Sequence, residues 1–498
     1  MTVTEWSVWF YVFALLVWAA LRLKRIGSRE PGLPPGPPTV PLLGNLNVFP
    51  TEYAHYKAYG DIYSLKVGPD TAIVITSAVA VKELIDKRSA STTDRPPHYM
   101  ADVVAGGVNM VLARYSDVWR VLRKNAHTML TPKASLELLP IQRAEATQLM
   151  YDILQAPDVP FYIRVRRYSS FVILSITYGK RCSRYESPEH LWELVLEPGA
   201  HPPVDLLPFL RHLPGAWKDL CKEARQLQRN LYFGLLDECQ ARLQNGQANG
   251  CFMEKVLQNQ ELGLNRELAG YLGGVLIEGG SDTTSSLLQS LILALMAFLE
   301  AQRKAQEEMD NVVVDQRLPT LDDFADLPYI QAVVKKNHRF RPVAPVAIPH
   351  GTLATEEYRG YMIPKSAMIF VNALRGIFHD SDVYDEPETF NPDSHFYSAL
   401  ALGSGRMLNT MNLIRGFQFS PATDSVTDAI VLVDITDYEK GILTAPRPFQ
   451  CRITPRSDCK IKLIKRAFLN AEDVFAKFES RITAEDKEYV KRYVSRVM

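Results

Sequence analysis

Residues 266–299 read RELAGYLGGVLIEGGSDTTSSLLQSLILALMAFL, and the organisation of the chain turns on them. Apolar residues occupy nearly every face of a 3.6-residue period, which predicts a long helix running through the interior rather than along the surface. Its centre, Glu278-Gly279-Gly280-Ser281-Asp282-Thr283-Thr284, is unlike a plain core helix. Adjacent glycines cost ~1 kcal/mol each in a helix, and their missing side chains let a ligand approach the backbone or permit a local bulge. Two readings stand. In one, a pocket opens here and Asp282 and Thr283 relay protons, since a hydroxyl both donates and accepts while a carboxylate supplies or recovers the proton. In the other, the glycines allow close helix packing and Asp282 is a satisfied structural acid.

Upstream, DIYSLKVGPDTAIVITS (61–77) alternates like a hairpin with Gly68-Pro69-Asp70 as its turn. From residue 78 to about 299 the pattern is mainly helical, with segments near 78–88, 116–130, 140–155, 161–178, 216–245 and 265–299. Downstream, β-branched and aromatic residues broken by Gly and Pro at 343–372, and again at 430–454, predict hairpins set on a helical body. After Asp458 the charges alternate with weak helical periodicity, which predicts a solvated helical tail.

Composition narrows the function classes. The chain has 498 residues, 47% hydrophobic and 22% charged, values typical of a folded globular protein. Lys+Arg 56 against Asp+Glu 56 leaves no net field to draw in a phosphate backbone, so nucleic-acid binding is disfavoured. No glycine-rich phosphate loop of Walker or Rossmann spacing occurs, which disfavours nucleotide hydrolysis. Six cysteines (Cys182, Cys221, Cys239, Cys251, Cys451, Cys459) are too few and scattered for a disulfide framework, and no C-x-x-C pair points to zinc, so no metal ligands are expected among them.

The amino end reads as a membrane anchor. Val3–Leu21 is a nearly unbroken apolar run that just spans a hydrocarbon core of ~30 Å. Trp6, Trp9 and Trp18 suit the interfaces, and Arg22, Lys24, Arg25 and Arg29 follow, which places the body in the cytosol. A cleaved signal peptide would carry its basic residues on the other side. PGLPPGPPTVP (31–41) then forms a stiff tether, because each proline fixes φ and biases its predecessor toward extended structure. The expected divisions are an anchor at 1–24, a basic and Pro-rich hinge at 25–50, a body at 51–457 and a charged helical tail at 458–498.

Three features together carry a family resemblance. GGSDTT (279–284) on a helix expected to be buried, an anchor followed by PPGPP (34–38), and LPYIQAVVKKNHRFRPVAPVAIPHGT (327–352) resemble a microsomal cytochrome P-450, a haem-thiolate monooxygenase, most like fungal members of metabolite pathways. The similarity runs from the first residue to about Arg456. It implies a mainly α fold with small β-sheets behind an N-terminal transmembrane helix, with haem as cofactor. It also implies a hydrophobic small-molecule substrate, dioxygen, an NADPH-dependent reductase, and a single-pass place in the endoplasmic reticulum membrane. Carried over by resemblance, Trp119 and Arg123 match a W-x-x-x-R pair on a haem propionate, where a cation and an N–H donor suit a carboxylate. His350 matches a second propionate contact and Arg406 a further haem contact, and Asp282 and Thr283 match the proton-relay pair.

The chain departs from that pattern at the iron ligand. A haem-thiolate centre needs a cysteine thiolate on iron. The family's F-x-x-G-x-R-x-C-x-G should follow Phe390-Asn391-Pro392-Asp393, and Leu402-Gly403-Ser404-Gly405-Arg406 matches its beginning. Met407-Leu408-Asn409-Thr410 comes next, and no cysteine lies between Cys251 and Cys451, so the ligand loop and the start of the following helix look excised. The family's E-x-x-R pair is Lys336-Asn337-His338-Arg339 here, and its partner arginine is Ser394, which predicts a buried Arg339 without a counter-charge, at a cost of ~3–5 kcal/mol. Tyr53–Tyr59 and Glu189–Trp192 also look shorter than the family's. Two functions therefore stay open: a monooxygenase, or a catalytically impaired, membrane-anchored relative that binds or scaffolds.

Overall fold

Alternating apolar side chains make the sheet of the amino-terminal part. β1 (Ile62–Val67) and β2 (Asp70–Ile75) form an antiparallel hairpin in which Ile62 faces Ile75 and Val67 faces Asp70. Its turn uses Gly68 at a φ of 60°, where a side chain would be strained. β3 (His350–Gly351), β4 (Glu356–Tyr358), β5 (Tyr361–Ile363) and β6 (Met368–Val371) follow much later in the chain. β6 lies parallel to β2, and β3 lies antiparallel to β6, giving the order β1-β2-β6-β3, while β4 and β5 pair separately. Ile62, Ile73, Ile75, Ile363 and Ile369 fill the core of this part.

The computed structural model describes residues 13–14, 17–18, 26–48, 59–155, 157, 159–181, 204–205, 208–394, 403–424, 427, 429–439 and 441–479. The expected anchor Val3–Leu21, all but four of its positions, lies outside them, as do Glu189–Trp192 and most of Tyr53–Tyr59. The chain divides into two compact units that interleave in sequence. One holds Met1–Tyr99, Pro198–Gly215 and Ala344–Asp380, with the sheet; the other holds Met100–Glu197, Ala216–Val343 and Ser381–Met498.

In the sheet unit the Pro-rich hinge is fastened down. Arg29 donates to the Pro34 and Pro37 carbonyls at 2.8 and 2.9 Å and to Ser64 Oγ at 2.6 Å. Asn45 accepts from the Lys66 amide at 2.9 Å and donates to the Pro38 carbonyl at the same distance. Prolines offer carbonyls and no N–H, so the segment needs donors from elsewhere, and Arg29 and Asn45 supply them. Arg29 and Asn45 thus hold this stiff segment against β1.

The second unit is built on helices: α1 (Asp117–Met129), α2 (Leu139–Gln155), α3 (Phe161–Tyr178), α4 (Ala216–Gln244), α5 (Phe252–Gln258), α6 (Arg266–Ala297), α7 (Leu299–Val312), α8 (Pro328–Phe340), α9 (Ser404–Gly416) and α10 (Asp458–Glu479). α6 is the expected interior helix. Asn265 caps it by accepting from the Leu268 amide at 2.9 Å, and Leu287, Leu288, Leu291, Ile292, Leu293 and Leu295 are all buried. Burying each such side chain contributes ~1.5–3 kcal/mol. Among the described residues no single helix is long and apolar enough to cross a membrane; α6 and α7 reach that only as a pair bent by 103°.

Two further expectations are corrected in this unit. The stretch 430–454 is mostly irregular, with single bridges Thr423–Ile430 and Tyr438–Pro446, and the strand pair is β7 (Phe417–Pro421) with β8 (Cys451–Pro455). The tail's first part, α10, is not wholly solvated: Leu463, Ile464, Ala471 and Phe475 are buried.

Candidate functional site

The two glycines of the α6 motif differ, one packed and one open. A Cβ on Gly280 would meet Ile173 of α3 at 2.6 Å, so Gly280 serves close packing. A Cβ on Gly279 would meet nothing within 4 Å, so this face of the helix is open. Thr283, one turn on, donates its hydroxyl to the Gly279 carbonyl at 2.7 Å, which leaves the oxygen free to accept. Asp282 holds an ion pair of 3.5 Å with the exposed Arg166 of α3. Asp282 and Thr283 thus stand together at the open face, with a cation and a backbone acceptor holding them.

Glu278, the acid just ahead of the two glycines, also has partners. It accepts from Tyr232 Oη, from Gln228 Nε2 at 3.1 Å and from Asn109 Nδ2 at 3.5 Å. Burial, the largest cause, pushes its pKa up, against the three hydrogen bonds that lower it. An acid inside an otherwise apolar helical run was the available signal.

The expected propionate contacts are dispersed. Ser116 caps α1 by accepting from the Trp119 amide at 3.2 Å, and the Trp119 indole N–H is spent on the Met110 carbonyl at 3.0 Å. Arg123 lies one turn further on, exposed. Arg406, in the first turn of α9, donates to Nε2 of His338 on α8 at 2.9 Å. Burial lowers the pKa of both, and His338, beside that guanidinium, falls to about 4, so the imidazole is neutral and accepts. Among the described residues no hydrogen bond joins Trp119, Arg123, Arg406, Asp282 or Thr283 to one another. His350 belongs to the sheet unit, on β3. Its Nδ1 lies 3.1 Å from the Thr92 carbonyl, which only accepts, so Nδ1 carries the proton and Nε2 is an acceptor. Burial first, and then Arg95, lower its pKa.

Arg339 was expected to be buried without a counter-charge; it is buried, and carbonyl oxygens and an aromatic ring receive it. Its guanidinium donates to the Pro387 and Thr389 carbonyls at 2.8 and 3.0 Å and sits 5.2 Å from the Tyr384 ring centre. Lys336 donates to Ser394 Oγ, the residue standing in the partner position, and burial followed by the Arg339 charge lowers its pKa to about 8.

Residues 34–403 match the family model for cytochrome P-450. This chain belongs to the cytochrome P-450 family. It is 42% identical to a cytochrome P-450 monooxygenase of Armillaria gallica, covering 95% of this chain and 99% of the relative. It is 35% identical to the cytochrome P-450 monooxygenase patI of Aspergillus clavatus, covering 92% and 95% respectively. The fold is also that of a zebrafish cytochrome P-450 solved with abiraterone, with a TM-score of 0.65 at 22% identity over 80% of this chain and 97% of that one. The family is one of haem-dependent monooxygenases, so the fold is that of an oxidoreductase whose cofactor is haem iron. The family match stops at Gly403, the residue before α9. The Armillaria alignment runs over 516 positions against the 498 residues of this chain, so that relative carries stretches with no counterpart here.

The residues present fit a P-450 haem only in part. Arg406 is a half-buried cation whose described partner is a neutral imidazole, a setting that suits a carboxylate. The axial position is different. α9 starts at Ser404 and no cysteine occurs from 252 to 450. Cys451, on β8, has a pKa pushed up to about 12 by burial, so it is a thiol at neutral pH, and its Sγ faces the Arg452 carbonyl at 3.8 Å. The donor set does not fit a haem-thiolate centre.

Proposed function

We propose that this chain carries the scaffold of a fungal cytochrome P-450 monooxygenase for a hydrophobic small molecule in secondary-metabolite biosynthesis, and that the chain as written does not assemble the haem-thiolate centre. In this reading residues 1–24 anchor it in the endoplasmic reticulum membrane, 25–50 form the hinge, 51–457 the monooxygenase body on the cytosolic side and 458–498 the tail. An NADPH-dependent reductase is the electron donor. Asp282 and Thr283 are the proton-handling pair, and Trp119, Arg123, His350 and Arg406 are the propionate-side residues. Support for the scaffold comes from the monooxygenases of Armillaria and Aspergillus, which this chain matches over nearly its whole length. The observation that carries the second half is the helix of α9 starting at Ser404 with no thiol after it until the protonated Cys451. That observation favours a binding or scaffold role for this form of the chain over turnover.

The test is the spectrum of the reduced, carbon monoxide-treated full chain. The red-shifted Soret band of a thiolate-ligated complex is expected to be missing. A clear band of that type in purified protein overturns the reading and restores a competent monooxygenase.

A further inference from the structure

Away from the glycine motif, the end of α4 and the start of α5 bring two cysteines together that the sequence spacing left apart. Cys239 Sγ and Cys251 Sγ are 3.6 Å from each other, at van der Waals contact. Cys239 is fully buried. Cys251 closes the exposed loop 244–250 and is 6% accessible. The Arg242 guanidinium sits over both sulfurs, 3.0 Å from Cys239 Sγ and 3.5 Å from Cys251 Sγ. It is held there by the Tyr178 carbonyl at 2.5 Å and by Glu254 at 3.0 Å from its Nε. Glu254 in turn accepts from the amides of Asn249 and Gly250 at 2.9 and 2.7 Å, so the whole cluster is locked.

The two sulfurs and a Glu254 oxygen lie within 4.8 Å of one another, the spacing of a metal site. The guanidinium already supplies the positive charge there, and a divalent cation in the same space would meet it at close range. A fixed cation beside two thiols favours a thiolate instead. The hydrogen bond from Cys239, with the Glu254 amide and Arg242, lowers the pKa of Cys251, while that of Cys239 is raised. Cys251, beside the exposed loop, is the more accessible of the two, and Cys239 lies behind it.

We infer that Cys239 and Cys251 are a redox-active dithiol that hydrogen peroxide converts to a disulfide joining α4 to α5. The Cys251 thiolate attacks one peroxide oxygen; the O–O bond breaks and the released hydroxide takes a proton to leave as water. The sulfenic acid on Cys251 is then attacked by Cys239 sulfur; the S–S bond forms, the S–O bond breaks, and the Cys239 proton leaves with the hydroxide as a second water. Two thiols are oxidised and one peroxide is reduced to two waters. The closed loop ties the end of α4 to the helix after it; the middle of α4 carries Gln228 and Tyr232 against Glu278.

The experiment treats the purified full chain with hydrogen peroxide, quenches in denaturant with iodoacetamide and maps tryptic peptides without reduction. A disulfide between peptides Asn230–Arg242 and Leu243–Lys255 is expected, reversed by dithiothreitol, with a rise of roughly 5 °C in the thermal midpoint. In Cys239→Ser the sulfenic acid on Cys251 is expected to persist and react with dimedone; in Cys251→Ser no link forms. Both peptides alkylated as free thiols after peroxide, linkage of either cysteine to Cys182, or stoichiometric zinc that protects both thiols would each overturn the inference.

Discussion

His338 and Arg406 show how burial sets the chemistry of a single residue. The imidazole is half-buried against a guanidinium, so protonating it costs both desolvation and like-charge repulsion, and its pKa falls from an ordinary value near 6.5 to about 4. Between those two pH values the unfolded chain binds a proton that the folded chain refuses. Stability contributed by neutral His338 is complete above pH 6.5 and is lost as pH falls toward 4. The loss is on the order of 2 kcal/mol, since solvent at the half-buried ring screens part of the shift. His338→Gln keeps an acceptor for Arg406 and cannot titrate. Its thermal midpoint is therefore expected to fall less steeply from pH 6.5 to 4 than that of the unaltered chain, and parallel profiles would remove His338 from the acid sensitivity.

At the scale of elements, periodicity located the main helices well. The segments expected near 116–130, 140–155, 161–178, 216–245 and 265–299 are found as α1, α2, α3, α4 and α6, with ends shifted by a residue or two, because each carries an apolar pattern and a local stop. In the tail, alternating charges mask a narrow apolar stripe, which is why its pattern reads as solvated. In α10, Phe468 stacks on Tyr151 of α2 with ring centres 4.0 Å apart, and Phe475 lies 3.6 Å under the Arg181 guanidinium. Arg181 itself reaches Glu145 of α2 at 2.6 Å, so the aromatic stripe covers a buried ion pair. Phe475→Ala should then cost ~3–5 kcal/mol, by lost burial and by opening that pair to water. A chemical-denaturation midpoint unchanged by the substitution would show that α10 is peripheral to the folded unit.

At the scale of the molecule, the two compact units draw on separate stretches of chain, and neither corresponds to one continuous piece of sequence. The proposed anchor lies at residues 1–24. Its support is the apolar run Val3–Leu21 with the basic residues Arg22, Lys24 and Arg25 after it. Deleting residues 1–24 is expected to move the protein from an alkali-resistant membrane pellet to the supernatant. Continued pelleting of the truncated chain would mean that another segment inserts, and the bent pair α6 and α7 would be the first to examine.

The sequence by itself determined the family, the interior course of α6 and the hairpin of β1 and β2, since these rest on local patterning and on the identity of residues along one stretch. Only the tertiary structure decided which of Gly279 and Gly280 faces open space and where Arg339 finds its acceptors. It alone drew Arg406 to His338 and Cys239 to Cys251. Those outcomes depend on which residues distant along the chain are packed against each other, and burial then changes their charge and reactivity, a quantity that no spacing along the chain contains.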